Sequence, residues 1–292
     1  VTEFQLELLI GEDGSTDDTR AVCEVLLQRF PESVRLIVAE RNVGIEANFL
    51  RLLGRARGRY CAMLEGDDYW TALDKLAAQV ALLDAHPDLS WCGTRTANRC
   101  QWLPPRPRYG LSETLRRYLV HTSSVVFRTT CVERWPRFPS VVCLDHLLFA
   151  YLATQGDCGF IDRETSYYRR HAGGVWHGSN ASARLEMTAR CIDAVDDWLG
   201  RSYHAELADR ETWIYDMEVA ARPDHSIHDQ WLYARAVAAQ AVSRTLTAVP
   251  LRCLGLVVRV AFLPLVVAYQ RMRHRLALRR RLHEWHNRLH NC

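Results

Sequence analysis

The chain has 292 residues, 48% of them hydrophobic and 24% charged. That is enough to bury a sizeable core in one large domain or two, and it excludes a disordered or low-complexity protein. The net charge of +3 hides an asymmetry, because residues 251–292 carry nine Arg against Glu284 and so put a basic tail of +8 on a body of −5.

The ten Cys are scattered, with no Cys-x-x-Cys pair. Zinc sites and a redox dithiol are disfavoured, and buried reduced thiols in a cytosolic body are expected. The amino end shows no signal-peptide pattern.

From the amino end, Phe4 to Ile10 alternates and then turns apolar, as a strand that needs neighbours does. The acidic loop Gly11 to Thr19 follows, with Ser15 or Thr16 placed to cap a helix whose apolar face is Ala21, Val22, Val25, Leu26 and Phe30. Asp13, Ser15, Asp17 and Glu24 fall at the ligand positions of an EF-hand loop. Asp18 stands where the sharp turn needs Gly, however, and Glu24 lies inside the helix, so a calcium loop is rejected. Arg35 to Ala39 is a second strand, and Arg41-Asn42-Val43-Gly44 turns into a helix bearing Phe49, Leu50, Leu52 and Leu53.

Strand Tyr60 to Leu64 then runs into Glu65-Gly66-Asp67-Asp68-Tyr69-Trp70, followed by helix Asp74 to Ala85, which stops at His86-Pro87. The β-α-β-α-β-α order over about ninety residues predicts an α/β fold with a mostly parallel sheet flanked by helices. Carboxylates after an apolar strand lie in the crevice where open α/β sheets bind ligands. Hard oxygen ligands on such a loop suit Mg²⁺ or Mn²⁺. The alternative at this point is a solvated acidic turn with Asp68 capping the next helix.

Farther on, Leu103 to Arg108 has too many prolines for regular structure and reads as a connection. Asp145 follows apolar Val141 to Leu144 and opens a helix to Thr154; the helix N-terminus favours its ionised form, although a plain N-cap has the same spacing. His171 beside Gly173-Gly174 is either a loop residue or a ligand. Trp176 is either a core residue or a stacking surface for a sugar ring on a mobile loop.

Leu9 to Thr19, Arg41 to Gly44 and Glu65 to Trp70 resemble, in order and spacing, the successive motifs of glycosyltransferase family 2, inverting enzymes of GT-A fold. The likeness continues through Thr122 to Arg128, Asp145 to Leu148 and Tyr167 to Trp176, covering roughly residues 5–200. It implies a nucleotide-diphospho-sugar donor, a divalent metal (Mn²⁺ or Mg²⁺) and transfer with inversion. By position, the resemblance implies that Asp13 faces the nucleotide base, flanked by Glu12 and Asp17, with Asn42 on the same donor side. Asp67 matches the metal-binding acid. Glu65 stands where an Asp is usual and is assigned to donor or metal. His171 reaches metal or phosphate, and Arg169 and Arg170 face the diphosphate. Asp145 is the general base, while His121, Ser123 and Trp176 lie on the acceptor side. The family also carries a strand and helix ahead of the segment that opens here, forming one wall of the nucleotide site, so weakened donor binding is expected of the chain as given.

One base and one metal suffice for inverting transfer. A pair of carboxylates flanking the bond, as in glycoside hydrolysis, would need a raised-pKa acid instead of the cation. A GT-A catalytic domain is expected over residues 1–200 and a helical C-terminal region over 201–292. In the latter, Cys253 to Tyr269 is apolar except for Arg259, and Arg271 to Arg281 is basic and amphipathic. Peripheral contact with the inner face of the plasma membrane is expected of this tail, ahead of packing or oligomer contact and of true spanning. Nucleic acid is not expected, because no aromatic-interleaved basic groove is present. The acceptor implied is a lipid-linked or surface glycan. The alternatives are a catalytically silent nucleotide-binding or scaffold protein, and a nucleotidyltransferase, which would show a Gly-rich basic phosphate loop.

Overall fold

The computed structural model describes residues 4–98, 105–136, 138 and 143–220. The apolar and basic tail segments lie outside them, as do the first two residues of the proline-rich connection. Among the described residues no helix is long and apolar enough to cross a membrane.

Strand β1 (Leu8–Glu12) pairs in parallel with β2 (Val34–Val38) across helix α1 (Thr19–Arg29). Asp18 rather than Ser15 or Thr16 precedes the helix, and Asp17 Oδ1 accepts from Thr19 N at 3.0 Å. The apolar face expected to point inward does not: Val22, Val25 and Phe30 are exposed, and Cys23 is the buried residue of α1.

Helix α2 (Ile45–Leu53) leads to β3 (Tyr60–Ala62) and, past the acidic loop, to β4 (Tyr69–Trp70) and helix α3 (Lys75–Ala85). Strand β5 (Leu89–Ala97) is followed by β6 (Arg108–Tyr109), helix α4 (Leu111–Arg116), a 3-10 turn at Thr122–Ser124 and β7 (Val126–Arg128). Helix α5 (Leu144–Gln155), β8 (Asp157–Tyr167) and helices α6 (Val175–Gly178), α7 (Ala181–Trp198) and α8 (His204–Ala220) complete the described chain.

The second sheet runs β3-β7-β5-β8-β4, with β6 on β8. Its long β5–β8 ladder is parallel, and the other pairings are antiparallel. The α/β expectation holds, but the first three strands do not form one parallel run: β3 pairs with β7, and among the described residues β1 and β2 stand as a separate ladder.

Helix α5 explains where the site lies. Leu147, Leu148, Phe149, Ala150, Leu152 and Ala153 are all buried, so every face is apolar and the helix runs through the core. Phe149 stacks on Trp91 of β5 with centroids 5.2 Å apart. The first turn of α5, and with it Asp145, is thereby delivered to the ends of the central strands.

The acidic loop is fixed from below by a buried polar chain. Trp70 Nε1 donates to Ser123 O at 2.9 Å, and Gln79 Nε2 donates to Ser124 O at 2.9 Å. Lys75, 1% exposed, donates to Gln79 Oε1 at 2.7 Å, with Nζ 4.7 Å from the Trp70 ring centre. Burial pushes the Lys75 amine down to about 7, and the ring face offsets part of the cost of its charge. The unfolded amine titrates near 10.4, so between about pH 7 and 10 the unfolded state binds more protons and stability rises with pH. Urea unfolding should show this rise in the wild type, by up to ~1.4 kcal/mol per pH unit, and a flatter profile in Lys75→Met. Parallel profiles would remove the assignment.

Candidate active site

The donor-side loops are tied together through Asp13. Its carboxylate accepts from Val43 N at 2.9 Å and Gly44 N at 3.0 Å, and Arg51 stands 3.7 Å away. Gly14 makes the approach possible: its φ is +73°, and a Cβ there would sit 2.7 Å from Asn42 N. Asn42 Oδ1 accepts from Gly44 N at 3.0 Å. Glu12, buried at the end of β1, accepts from Ser15 N at 2.6 Å, and that hydrogen bond holds its carboxyl below the usual range. Glu12, Asp13 and Asn42 therefore shape the loops with the groups assigned to the donor. Asp17 works at the start of α1.

The acidic loop splits into two groupings. Asp67 Oδ2 and His171 Nε2 lie 2.9 Å apart, both open to solvent, as their assignment as metal ligands requires. Glu65, assigned with them, instead lies with Asp68 and His121, their ligand atoms all within 4.8 Å of one another. Asp68 Oδ1 accepts from Arg169 N at 2.9 Å, and Asp68 Oδ2 is 3.4 Å from His121 Nδ1. Among the described residues, Glu65 Oε2 and Asp68 Oδ2 are buried with no hydrogen-bond partner.

Burial, reinforced by Asp68 and Asp145, raises the Glu65 carboxyl to about 7 against the pull of Thr122. Burial also raises Asp68, helped by Asp67. Unmatched carboxylate oxygens and acids held toward neutrality describe a place short of positive charge. A hard divalent cation fits that donor set of carboxylates and imidazole.

Asp145 opens α5 as expected. Its Oδ1 accepts from His146 N at 3.0 Å, and the Tyr118 hydroxyl donates to Oδ2. Burial pushes its carboxyl up, but His146, the Tyr118 hydroxyl, His121 and Arg210 together outweigh burial and hold it below the usual carboxylate range. It is an ionised acid with part of its surface open.

The acceptor-side assignments change in kind. His121 and Ser123 are buried, 2.9 Å apart through Nδ1 and Oγ, and His121 packs on Tyr168 with ring centres 4.4 Å apart. They support Asp68 from behind. Trp176 packs on the cluster around Cys143, Leu147 and Cys191, with Arg184 5.9 Å over its ring. The Arg169 guanidinium lies 5.8 Å over Tyr69, and Arg170 donates to Asn98 O at 2.8 Å.

Asp68, Tyr118 and Arg210 were not assigned from sequence. The acidic run signalled Asp68. Nothing in local spacing signals the other two, which arrive from the segment just after α4 and from α8.

Residues 2–134 match the family model for glycosyl transferase family 2. The uncharacterized protein Rv1520 of Mycobacterium tuberculosis is 34% identical over 200 residues, 63% of this chain and 55% of that protein. The chain thus spans about half the length of that relative. The Escherichia coli protein named UDP-Glc:alpha-D-GlcNAc-diphosphoundecaprenol beta-1,3-glucosyltransferase WfaP is 27% identical over 192 residues, 60% of this chain and 69% of that one. Among solved structures, Staphylococcus aureus TarS 1-349 in complex with UDP superposes with TM-score 0.55 at 15% identity, covering 82% of this chain and 72% of that one. The mannosyltransferase PcManGT of Pyrobaculum calidifontis, in complex with GDP-Man and Mn²⁺, gives TM-score 0.51 at 17% identity, covering 84% and 79%. Residues 2–134 are thus similar to glycosyltransferase family 2, and the described chain has the GT-A fold of these solved structures.

Proposed function

We propose that this chain transfers a sugar from a nucleotide-diphospho-sugar to a hydroxyl of a lipid-linked or surface glycan, with inversion at the anomeric carbon. The observation that carries this reading is the placing of an ionised, partly open Asp145 beside an acidic loop whose carboxylates lack counter-charge.

Asp145 takes the proton of the acceptor hydroxyl as the new glycosidic C–O bond forms. The bond from the anomeric carbon to the nucleoside diphosphate breaks on the opposite face, and the diphosphate leaves with the electron pair. A single base on the acceptor side, with no second carboxylate acting as nucleophile, makes the outcome inversion.

Asp67 and His171, with Glu65, Asp68 and His121 behind them, would hold a divalent cation. Bound there, Mn²⁺ or Mg²⁺ would neutralise charge on the leaving diphosphate. Arg169 and Arg170, on the strand end beside the acids, are the candidate diphosphate contacts once released from Tyr69 and Asn98. The printed names of the relatives support a nucleotide-linked donor, a divalent ion and, through WfaP, a polyprenyl-diphosphate acceptor. The basic run Arg271 to Arg281 supports peripheral contact with a cytoplasmic membrane face.

A thermal-shift panel of UDP, GDP, CDP and dTDP, with and without Mn²⁺, tests the reading. At about one hundred times its dissociation constant, the matching nucleotide should add ~2.7 kcal/mol to the folded state. The shift should vanish in Asp67→Ala or without metal. No shift from any of the four would count against glycosyl transfer.

Asp145→Asn should keep the nucleotide shift and lose roughly 10²- to 10⁴-fold in transfer rate; retained transfer would exclude it as the base. Asp68→Asn should raise the metal-free melting temperature at pH 8, where Glu65 and Asp68 otherwise repel, and shrink the shift that Mn²⁺ gives. An unchanged pair of values would place the cation elsewhere.

A further inference from the structure

Helix α8 begins seventy residues past the end of the family match, yet it sends one charged side chain to the base. Arg210 is 3% exposed, and its Nη1 donates to Thr114 O at 3.4 Å. Nε and Nη2 have no hydrogen-bond partner among the described residues. Its guanidinium lies 5.8 Å from the centre of the Tyr118 ring, and the hydroxyl of that ring donates to Asp145.

A buried, under-bonded guanidinium is strongly destabilising by itself. Arg stays charged under almost any surroundings, so neutralisation does not relieve it. Burial works against its charge; the Cys191 thiol and the Asp145 carboxylate favour it, and of those two only the carboxylate is ionised near pH 7.

Helix α8 is anchored to hold it there. Arg116 of α4 pairs with both Glu206, at 3.1 Å, and Asp209, one turn and one residue before Arg210. Arg210 also closes one wall of a small cavity, about the size of one water, bounded by His146, Leu115, Cys191 and Leu207.

We propose that Arg210 is a positioning residue for the base: through the face of Tyr118 it fixes the hydroxyl that holds Asp145 and supplies the counter-charge for that carboxylate. The inference rests on the glycosyl-transfer reading for Asp145. It extends the site to the C-terminal helix.

The groups facing Asp145 set its titration. His146 of the same helix, His121 of the 3-10 turn, the Tyr118 hydroxyl and Arg210 favour the carboxylate, and Glu65 of the acidic loop opposes it. The Cys143 and Cys191 thiols are pushed up by burial and stay neutral near pH 7. Removing Arg210 takes away the charge that α8 contributes and leaves the others.

Two measurements on the full chain test this. The first is a double-mutant cycle by urea unfolding at pH 7 with Arg210→Met, Asp145→Asn and both. Arg210→Met should lower the midpoint more in the wild-type background than in Asp145→Asn. Equal shifts would overturn the pairing.

The second is the pH profile of kcat/KM for nucleoside diphosphate release from a UDP- or GDP-linked hexose. Arg210→Met should move the acidic limb up by about one pH unit with donor KM unchanged, and Arg210→Lys should largely restore it. An unmoved limb, or a loss that Lys does not rescue, would reduce Arg210 to packing. The cycle needs no substrate, so a wild type without turnover would sink the glycosyl-transfer reading, whereas the cycle still decides whether Arg210 answers Asp145.

Discussion

The structure depends on how negative charge is carried by one short loop. Glu65, Asp67 and Asp68 leave β3 within four residues, and no Lys or Arg side chain forms an ion pair with them among the described residues. They are answered instead by two histidines and a backbone N–H: His171 for Asp67, His121 for Asp68 and the Arg169 amide for the other Asp68 oxygen. Those partners come from the segment after β8 and from the cap of the 3-10 turn, so the charge of the loop organises two distant segments. The answer is incomplete: Glu65 Oε2 and Asp68 Oδ2 stay buried without a hydrogen-bond partner among the described residues. An apolar site of the same shape would fold more easily, and the residual imbalance is what lets the loop take up positive charge from outside.

Beneath the loop, a second set of polar groups does the opposite job. Trp70, Lys75, Gln79 and the carbonyls of Ser123 and Ser124 form bonds that are short, buried and matched. This layer fixes the floor while the upper layer stays electrostatically unsatisfied. Rigid support under an unsatisfied site is the arrangement that electrostatic preorganisation requires.

The base is set up by a different device. A helix buried on every side cannot accommodate a carboxylate except at its end, where its own N–H groups and dipole favour the charge. Asp145 occupies that end, and Tyr118, His146 and Arg210 close around it. Two acidic centres of opposite tendency result. Glu65 is pushed toward neutrality and Asp145 toward ionisation, and each opposes the other through space. Such a divergence separates the roles of binding positive charge and accepting a proton.

The order of motifs was enough to determine the α/β class, the acidic loop at a strand end and the helix near whose start Asp145 stands. Each of these is a local pattern, or a fixed spacing that a known family shares, and hydrophobic periodicity reports it directly. Sheet pairing was not legible. An apolar strand such as β3 accepts a parallel or antiparallel neighbour equally well by composition, and only the arrival of β7 decided it. The inward face of α1 was misread for the same reason: periodicity gives a helix an apolar side but not something to cover it, and Val22 and Val25 stand exposed. Burial of His121 and Ser123, the regrouping of Glu65 with Asp68, and the approach of Tyr118 and Arg210 to Asp145 belong to tertiary structure alone. A side chain's charge state and partners depend on distances of a few ångströms between segments as many as 104 residues apart, as for Asp67 and His171, and no local sequence pattern encodes those distances.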